Sequence, residues 1–146
     1  MNNIEELIEM LYSKDNNMAY KCLKTLEEKS KYSSDVYKFF DKFVEMMEAT
    51  NSYVRTRGII LISANAKWDV DNKIDEIIDN YLKHILDEKP ITARQCIKSL
   101  PGIAEYKQDL VPCIREALSK ADVEIYKESM QGLVYKDIRA ALQKIE

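Results

Sequence analysis

The sequence predicts an all-α fold of the α-α superhelix class, a short solenoid of about four helical hairpins that occupies residues 1–146 as one domain. Three observations carry that expectation. Apolar residues recur at i, i+3 and i+4 along the whole chain, the spacing of one helix face. Gly and Pro number only three each, too few for the turns of a many-stranded β fold. And one line is written twice: "AYKCLKTLEEKSKY" at 19–32 returns 74 positions later as "ARQCIKSLPGIAEY" at 93–106, with Ala, Cys, Lys, Leu and Tyr in the same places.

Half of that interval, 37 residues, exposes two fainter copies. Ala19, Thr56, Ala93 and Met130 align; so do Cys22, Ile59, Cys96 and Leu133; so do Leu23, Ile60, Ile97 and Val134. Each trio marks one inner helix. Outer helices alternate with them. Ile4, Leu7, Ile8 and Leu11 predict the first, and Val36, Phe39, Phe40, Phe43, Val44 and Met47 the second. Ile74, Ile77, Ile78, Leu82, Ile85 and Leu86 predict the third, and Leu110, Ile114 and Leu118 the fourth. Asp35 and Asp109 are expected to cap the second and fourth outer helices, and Asp71 or Asn72 the third. Pro90 opens the third inner helix, and Pro112 sits in a first turn, where its missing N–H costs little. One hairpin cannot bury both of its apolar faces, whereas stacked hairpins share a core; the repeat follows from that need.

Composition narrows the function classes. The chain is 46% apolar and 32% charged, and its net charge of −3 disfavours bulk affinity for nucleic acid. It has no run of about 18 apolar residues and no basic-then-apolar leader, so a cytoplasmic location with no membrane partner is expected. Cys22, Cys96 and Cys113 show no CxxC spacing and His84 is the single histidine, so neither a metal nor a cofactor is expected and the thiols read as core. The carboxylates of "EELIE", "LEEK" and "KIDEIID" fall at helical spacing and read as a solvated face. Gly-rich phosphate loops are absent from the sequence, and no nucleophile and base stand at a suggestive spacing, which favours a non-enzymatic role.

The period near 37, together with "VRTRGIILI" at 54–62, resembles HEAT and armadillo-type repeats. That resemblance implies inner helices lining a concave surface that binds another protein or, less often, nucleic acid. In this register one position reads Tyr20, Arg57, Arg94 and Gln131, and the next reads Lys21, Gly58, Gln95 and Gly132, with Arg55 nearby. Tyr20, Arg55, Arg57, Arg94, Gln95 and Gln131 are therefore the candidate partner-binding stripe, suited to an acidic or polar segment of a protein because each guanidinium is a planar fork of donors. The competing reading is internal pairing of the arginines. Gly58 and Gly132 are expected to admit a close helix approach.

"NAKWDVDNK" at 65–73 holds the only tryptophan, expected to plug the core end as Tyr32 and Tyr106 would in other copies. This stretch is also similar to the W-D-x-x-D segment of HEAT-like DNA alkylation-repair glycosylases. That similarity implies an alternative, nucleic-acid-processing site at Trp68, Asp69, Asp71 and Arg94, with Asp71 one residue early for the pattern.

Overall fold

Helix starts are set by short polar side chains that satisfy the otherwise unpaired first N–H groups. The computed structural model describes residues 3–145. Asn3 accepts from the Glu6 N–H at 2.9 Å and opens α1 (Ile4–Met10). Asp15 accepts from the Asn17 and Met18 N–H groups, both at 3.1 Å, and opens α2 (Asn16–Tyr32). Asn51 does the same for Tyr53 and Val54 at the head of α4 (Ser52–Ala64). Each such cap is worth about 1 kcal/mol. Pro90 stands in the first turn of α6 (Pro90–Tyr106) and Pro112 in that of α7 (Val111–Lys120), as the sequence predicts.

Asp35 and Asp109 do not cap. Short 3-10 turns, Tyr37–Phe39 and Gln108–Leu110, run directly into α3 (Phe40–Met47) and α7, so the chain enters both helices already coiled and needs no capping side chain. Asn72, before α5 (Lys73–Lys83), has a left-handed φ of 58° and makes no side-chain cap; its Oδ1 accepts from the Lys107 ammonium at 2.8 Å instead. The last helix is α8 (Glu128–Lys144). Among the described residues there are eight α-helices and no strand, and none of these helices is long and apolar enough to cross a membrane.

The chain divides into two compact units, Met1–Asp69 and Val70–Glu146. In the first, α1 lies on α2, α2 on α4, and α3 on α4. Its largest fully buried apolar side chains are Leu11, Leu26, Phe40, Phe43, Met46, Met47, Ile59, Leu61 and Ile62. In the second, α6 packs on α8, on α7 and on the 3-10 turn His84–Leu86 that ends α5. Ile74, Tyr81, Cys96, Ile97, Leu100, Ile103 and Ile114 are fully buried there.

The repeated line acquires a physical meaning at this level. Helices α2 and α6 are both 17 residues long and start and stop 74 residues apart. Ala19, Cys22, Leu23 and Leu26 are buried in one, and Ala93, Cys96, Ile97 and Leu100 in the other. Equivalent burial demands equivalent side chains. The weakest copy departs from this: Leu133 is 41% exposed, and Val134, Ile138 and Ala141 supply the buried face of α8. Tyr32 and Tyr106, exposed at the ends of their helices, do not share the packing role expected of them with Trp68.

The two inner glycines also part company. A Cβ on Gly58 would stand 2.7 Å from the Phe43 carbonyl oxygen and 2.8 Å from the Met46 Cβ and the Met47 nitrogen, so α3 and α4 touch where only a hydrogen fits. A Cβ on Gly132 would meet nothing within 4 Å. The close approach expected of both glycines exists at the first and is absent at the second.

Candidate functional site

Helix C-termini leave carbonyls without intrahelical donors, and buried ones must find partners elsewhere. Two of the stripe arginines meet that need. Arg57 Nη1 donates to the Leu11 carbonyl at the end of α1 at 2.7 Å, and its Nη2 donates to Asn16 Oδ1 at 3.2 Å. Arg55 Nη1 donates to the Ala49 and Thr50 carbonyls that follow α3, at 3.2 and 2.9 Å. Accordingly Arg55 is 7% exposed and Arg57 6%, and both brace hairpin connections rather than standing in an open stripe. A cation at a helix C-terminus also meets the negative end of the macrodipole. Burial pulls the Arg57 guanidinium down from its ordinary value, and Tyr53 acts in the opposite sense.

Around this fixed guanidinium lies an open aromatic surface. Tyr53 precedes Arg57 by one helical turn, and the guanidinium carbon sits 5.8 Å from its ring centroid. Asn16, Tyr20 and Lys24 follow one another at i+4 steps along α2, with the Lys24 ammonium 5.3 Å from the Tyr20 ring and 3.2 Å from Glu27. Tyr20 and Tyr53 are each 58% exposed. Helix α2 carries Lys21, Lys24, Lys29 and Lys31 against Glu27 and Glu28; Lys24 pairs with Glu27 and Lys31 with Glu28, each at 3.2 Å, which leaves the helix with an excess of cations. Farther along the same helix, Lys24, Thr25, Glu28, Lys29 and Tyr32 join Ile4 in lining a shallow groove of about 710 Å³. Tyr53, Asn16 and Lys24 were not singled out from the sequence, although the Tyr53–Arg57 spacing of one turn was there to be read.

The second-unit candidates are internally engaged too. Arg94 Nε donates to Asp137 Oδ2 at 2.6 Å across α6 and α8, and that hydrogen bond raises the arginine above its ordinary value. Gln131 Nε2 donates to the Tyr126 carbonyl at 2.9 Å, and Gln95 is half-buried on α6. Of the alternative site, the Trp68 indole N–H donates to the Ser30 carbonyl at 2.6 Å and buried Asp69 accepts from the Tyr37 hydroxyl at 2.6 Å. Asp71 is exposed. Each of Trp68, Asp69 and Arg94 thus has a structural partner within its own unit.

Comparison with protein-family models, with curated proteins and with solved structures finds no significant match to this chain. Chemistry must therefore be judged from the groups themselves.

One polar cluster is buried in the second unit. His84 Nδ1 lies 2.7 Å from Asp87 Oδ2, the Lys89 N–H donates to Asp87 Oδ1 at 2.9 Å, and the Tyr126 hydroxyl donates to the Asp87 carbonyl. Burial first, then the charge of Asp87, pushes the Tyr126 phenol up to about 12. Burial likewise drives Tyr81 and Cys96 well above their ordinary values. Thiols held protonated in this way are poor nucleophiles, so the cluster reads as bracing for the turn between α5 and α6. Among the described residues no group of three His, Cys, Asp or Glu is placed to hold a metal ion.

Proposed function

We propose that this protein is a non-enzymatic, cytoplasmic interaction module of the HEAT and armadillo-like kind, whose hairpins succeed one another as a short superhelix. Its α2–α4 face takes an acidic segment of a partner protein. The observation that supports this reading is the pair of tyrosines, Tyr20 and Tyr53, more than half exposed yet held beside cations. Aromatic rings restrained in the free protein lose little entropy on binding and serve as anchors. Lys21 and Lys24, both exposed, add attraction for carboxylates around them. Arg57 acts one step back: it is tied to Leu11 and Asn16 and orients the ring of Tyr53.

A displayed library of linear peptides, sorted on the full chain, tests the proposal. Acidic sequences containing an apolar residue should be enriched, and their affinity should fall about tenfold or more for Tyr20→Ala/Tyr53→Ala. Unchanged helicity by circular dichroism would confirm that the double variant is folded. Enriched peptides that bind the variant as well as they bind the parent would refute it.

A further inference from the structure

A charge taken out of water is ordinarily met by an opposite charge, because hydrogen bonds to neutral groups leave it uncompensated. The chain follows that rule elsewhere: buried Lys107 has Asp75 at 3.0 Å, and partly buried Arg94 has Asp137 at 2.6 Å. Arg57 departs from it. Its guanidinium is buried, yet it donates to the neutral Leu11 carbonyl and the neutral Asn16 amide, and among the described residues it forms no ion pair. The carbonyl end of α1 supplies at most about half an elementary charge. Of the carboxylates beside these contacts in sequence, Asp15 accepts from the Asn17 and Met18 N–H groups, and Glu9 is exposed at the end of α1. Glu27, farther along α2, pairs with Lys24. Burial accordingly leads in pulling the guanidinium down from its ordinary value, and the titratable group that opposes it is Tyr53, not a carboxylate.

Bracing also leaves donors over. A guanidinium carries five N–H groups, and the Leu11 and Asn16 contacts engage only its terminal nitrogens, Nη1 and Nη2. Among the described residues none of its nitrogens is both sealed from solvent and without a partner, so the unused Nε–H is open to solvent. Asn16, itself exposed, turns Oδ1 to Arg57, which leaves its Nδ2 hydrogens for an external acceptor. Exposed rings flank both groups: Tyr53 beside the guanidinium, and Tyr20 one turn beyond Asn16 on α2.

We propose that Arg57 and Asn16 form a carboxylate subsite, donating to the two oxygens of one Asp or Glu side chain that lies against Tyr20 and Tyr53. That this side chain belongs to the partner's acidic segment rests on the reading proposed above. One planar pair of oxygens matches the edge of a single guanidinium, whereas phosphate is recognised by clusters of cations.

Nuclear magnetic resonance of the full chain tests the subsite with acetate as the probe, exchanged for chloride at constant ionic strength. The Arg57 Nε–H and Asn16 Nδ2 signals should move together and saturably, those of exposed Arg115 and Arg139 should not, and acetamide should move none of them. Asn16→Asp, an isosteric change, places a carboxylate oxygen where Oδ1 now meets Arg57 at 3.2 Å. Asn17→Asp adds the same charge to the same first turn, one residue on, and both gain alike from the positive end of α2. The thermal midpoint of Asn16→Asp should therefore exceed that of Asn17→Asp by about 3 °C, and its acetate response should vanish. A midpoint no higher than that of Asn17→Asp, signals unmoved by acetate, or a stronger response to inorganic phosphate would overturn the proposal. No peptide enters this test. Acetate bound by a chain that enriches no acidic peptide would sink the acidic-segment reading alone, and acidic peptides bound by a chain indifferent to acetate would sink the subsite alone.

Discussion

Gly58 and Gly132 are 74 residues apart and each lies within a helix, so Gly→Ala at each is a matched pair whose outcomes should have opposite signs. Alanine in a helix interior is favoured over glycine by about 1 kcal/mol. At Gly132 nothing opposes that gain, because the added methyl meets no atom within 4 Å. Stability should rise by about 1 kcal/mol, or about 3 °C in Tm for a chain of this size. At Gly58 the methyl would overlap the Phe43 carbonyl oxygen at 2.7 Å and the Met47 nitrogen at 2.8 Å, both backbone atoms that yield only if α3 moves. Overpacking of that kind costs about 3 kcal/mol; set against the propensity gain, it leaves a net loss of about 2 kcal/mol. Urea unfolding followed by circular dichroism measures both, the midpoint shifting in opposite directions at unchanged slope. A neutral or stabilising Gly58→Ala would show that α3 and α4 are not in backbone contact and would refute the reasoning.

Three further outcomes follow from the contacts. Arg94→Asp combined with Asp137→Arg should recover most of the roughly 2 kcal/mol that either change alone costs, since the pair is only partly buried; a thermodynamic cycle without coupling would show that the 2.6 Å contact contributes nothing. Trp68→Phe removes the N–H that reaches Ser30 together with the pyrrole half of the indole, and should cost at least about 1 kcal/mol by urea unfolding; an unchanged midpoint would dismiss that hydrogen bond. Tyr126 has a folded pKa of about 12, above the ordinary phenol value, because burial and Asp87 disfavour its anion. Its contribution to stability is therefore complete below the unfolded pKa near 10 and is lost as pH climbs from there through about 12. Tyr126→Phe should flatten the alkaline fall in stability over that window, although Tyr81 and Cys96, shifted the same way, preserve part of it. A slope identical to that of the parent chain would remove Tyr126 from the account.

Helix type and order were legible because each helix repeats its apolar spacing, and a face that must be buried tolerates few alternatives. Cys22 and Cys96 show this best: the same small apolar thiol recurs because both sites are buried. Caps were not legible: Asn3, Asp15 and Asn51, which cap, were not singled out, and no side-chain cap forms at Asp35, Asp109 or Asn72, where one was expected. At Asp35 and Asp109 a 3-10 turn already supplied the first hydrogen bonds, and local sequence does not distinguish the two cases. The repeated line at 93–106 carries Pro101 inside an inner helix although proline ordinarily ends the helices it enters, and α6 does run through it to Tyr106. The candidate site was half legible. The exposure of Tyr20 fits its place in the register, but the fate of Arg55 and Arg57 depends on carbonyls of Leu11, Ala49 and Thr50, and backbone acceptors leave no trace in a residue string.

Trp68 is the chain's one indole, and its partner Ser30 belongs, as it does, to the stretch ending at Asp69. Its emission is thus a private reporter of the N-terminal half, whereas far-ultraviolet ellipticity sums over every helix. Two melting curves recorded on one cuvette of wild-type material, without any label, therefore reveal whether the halves come apart together or in turn.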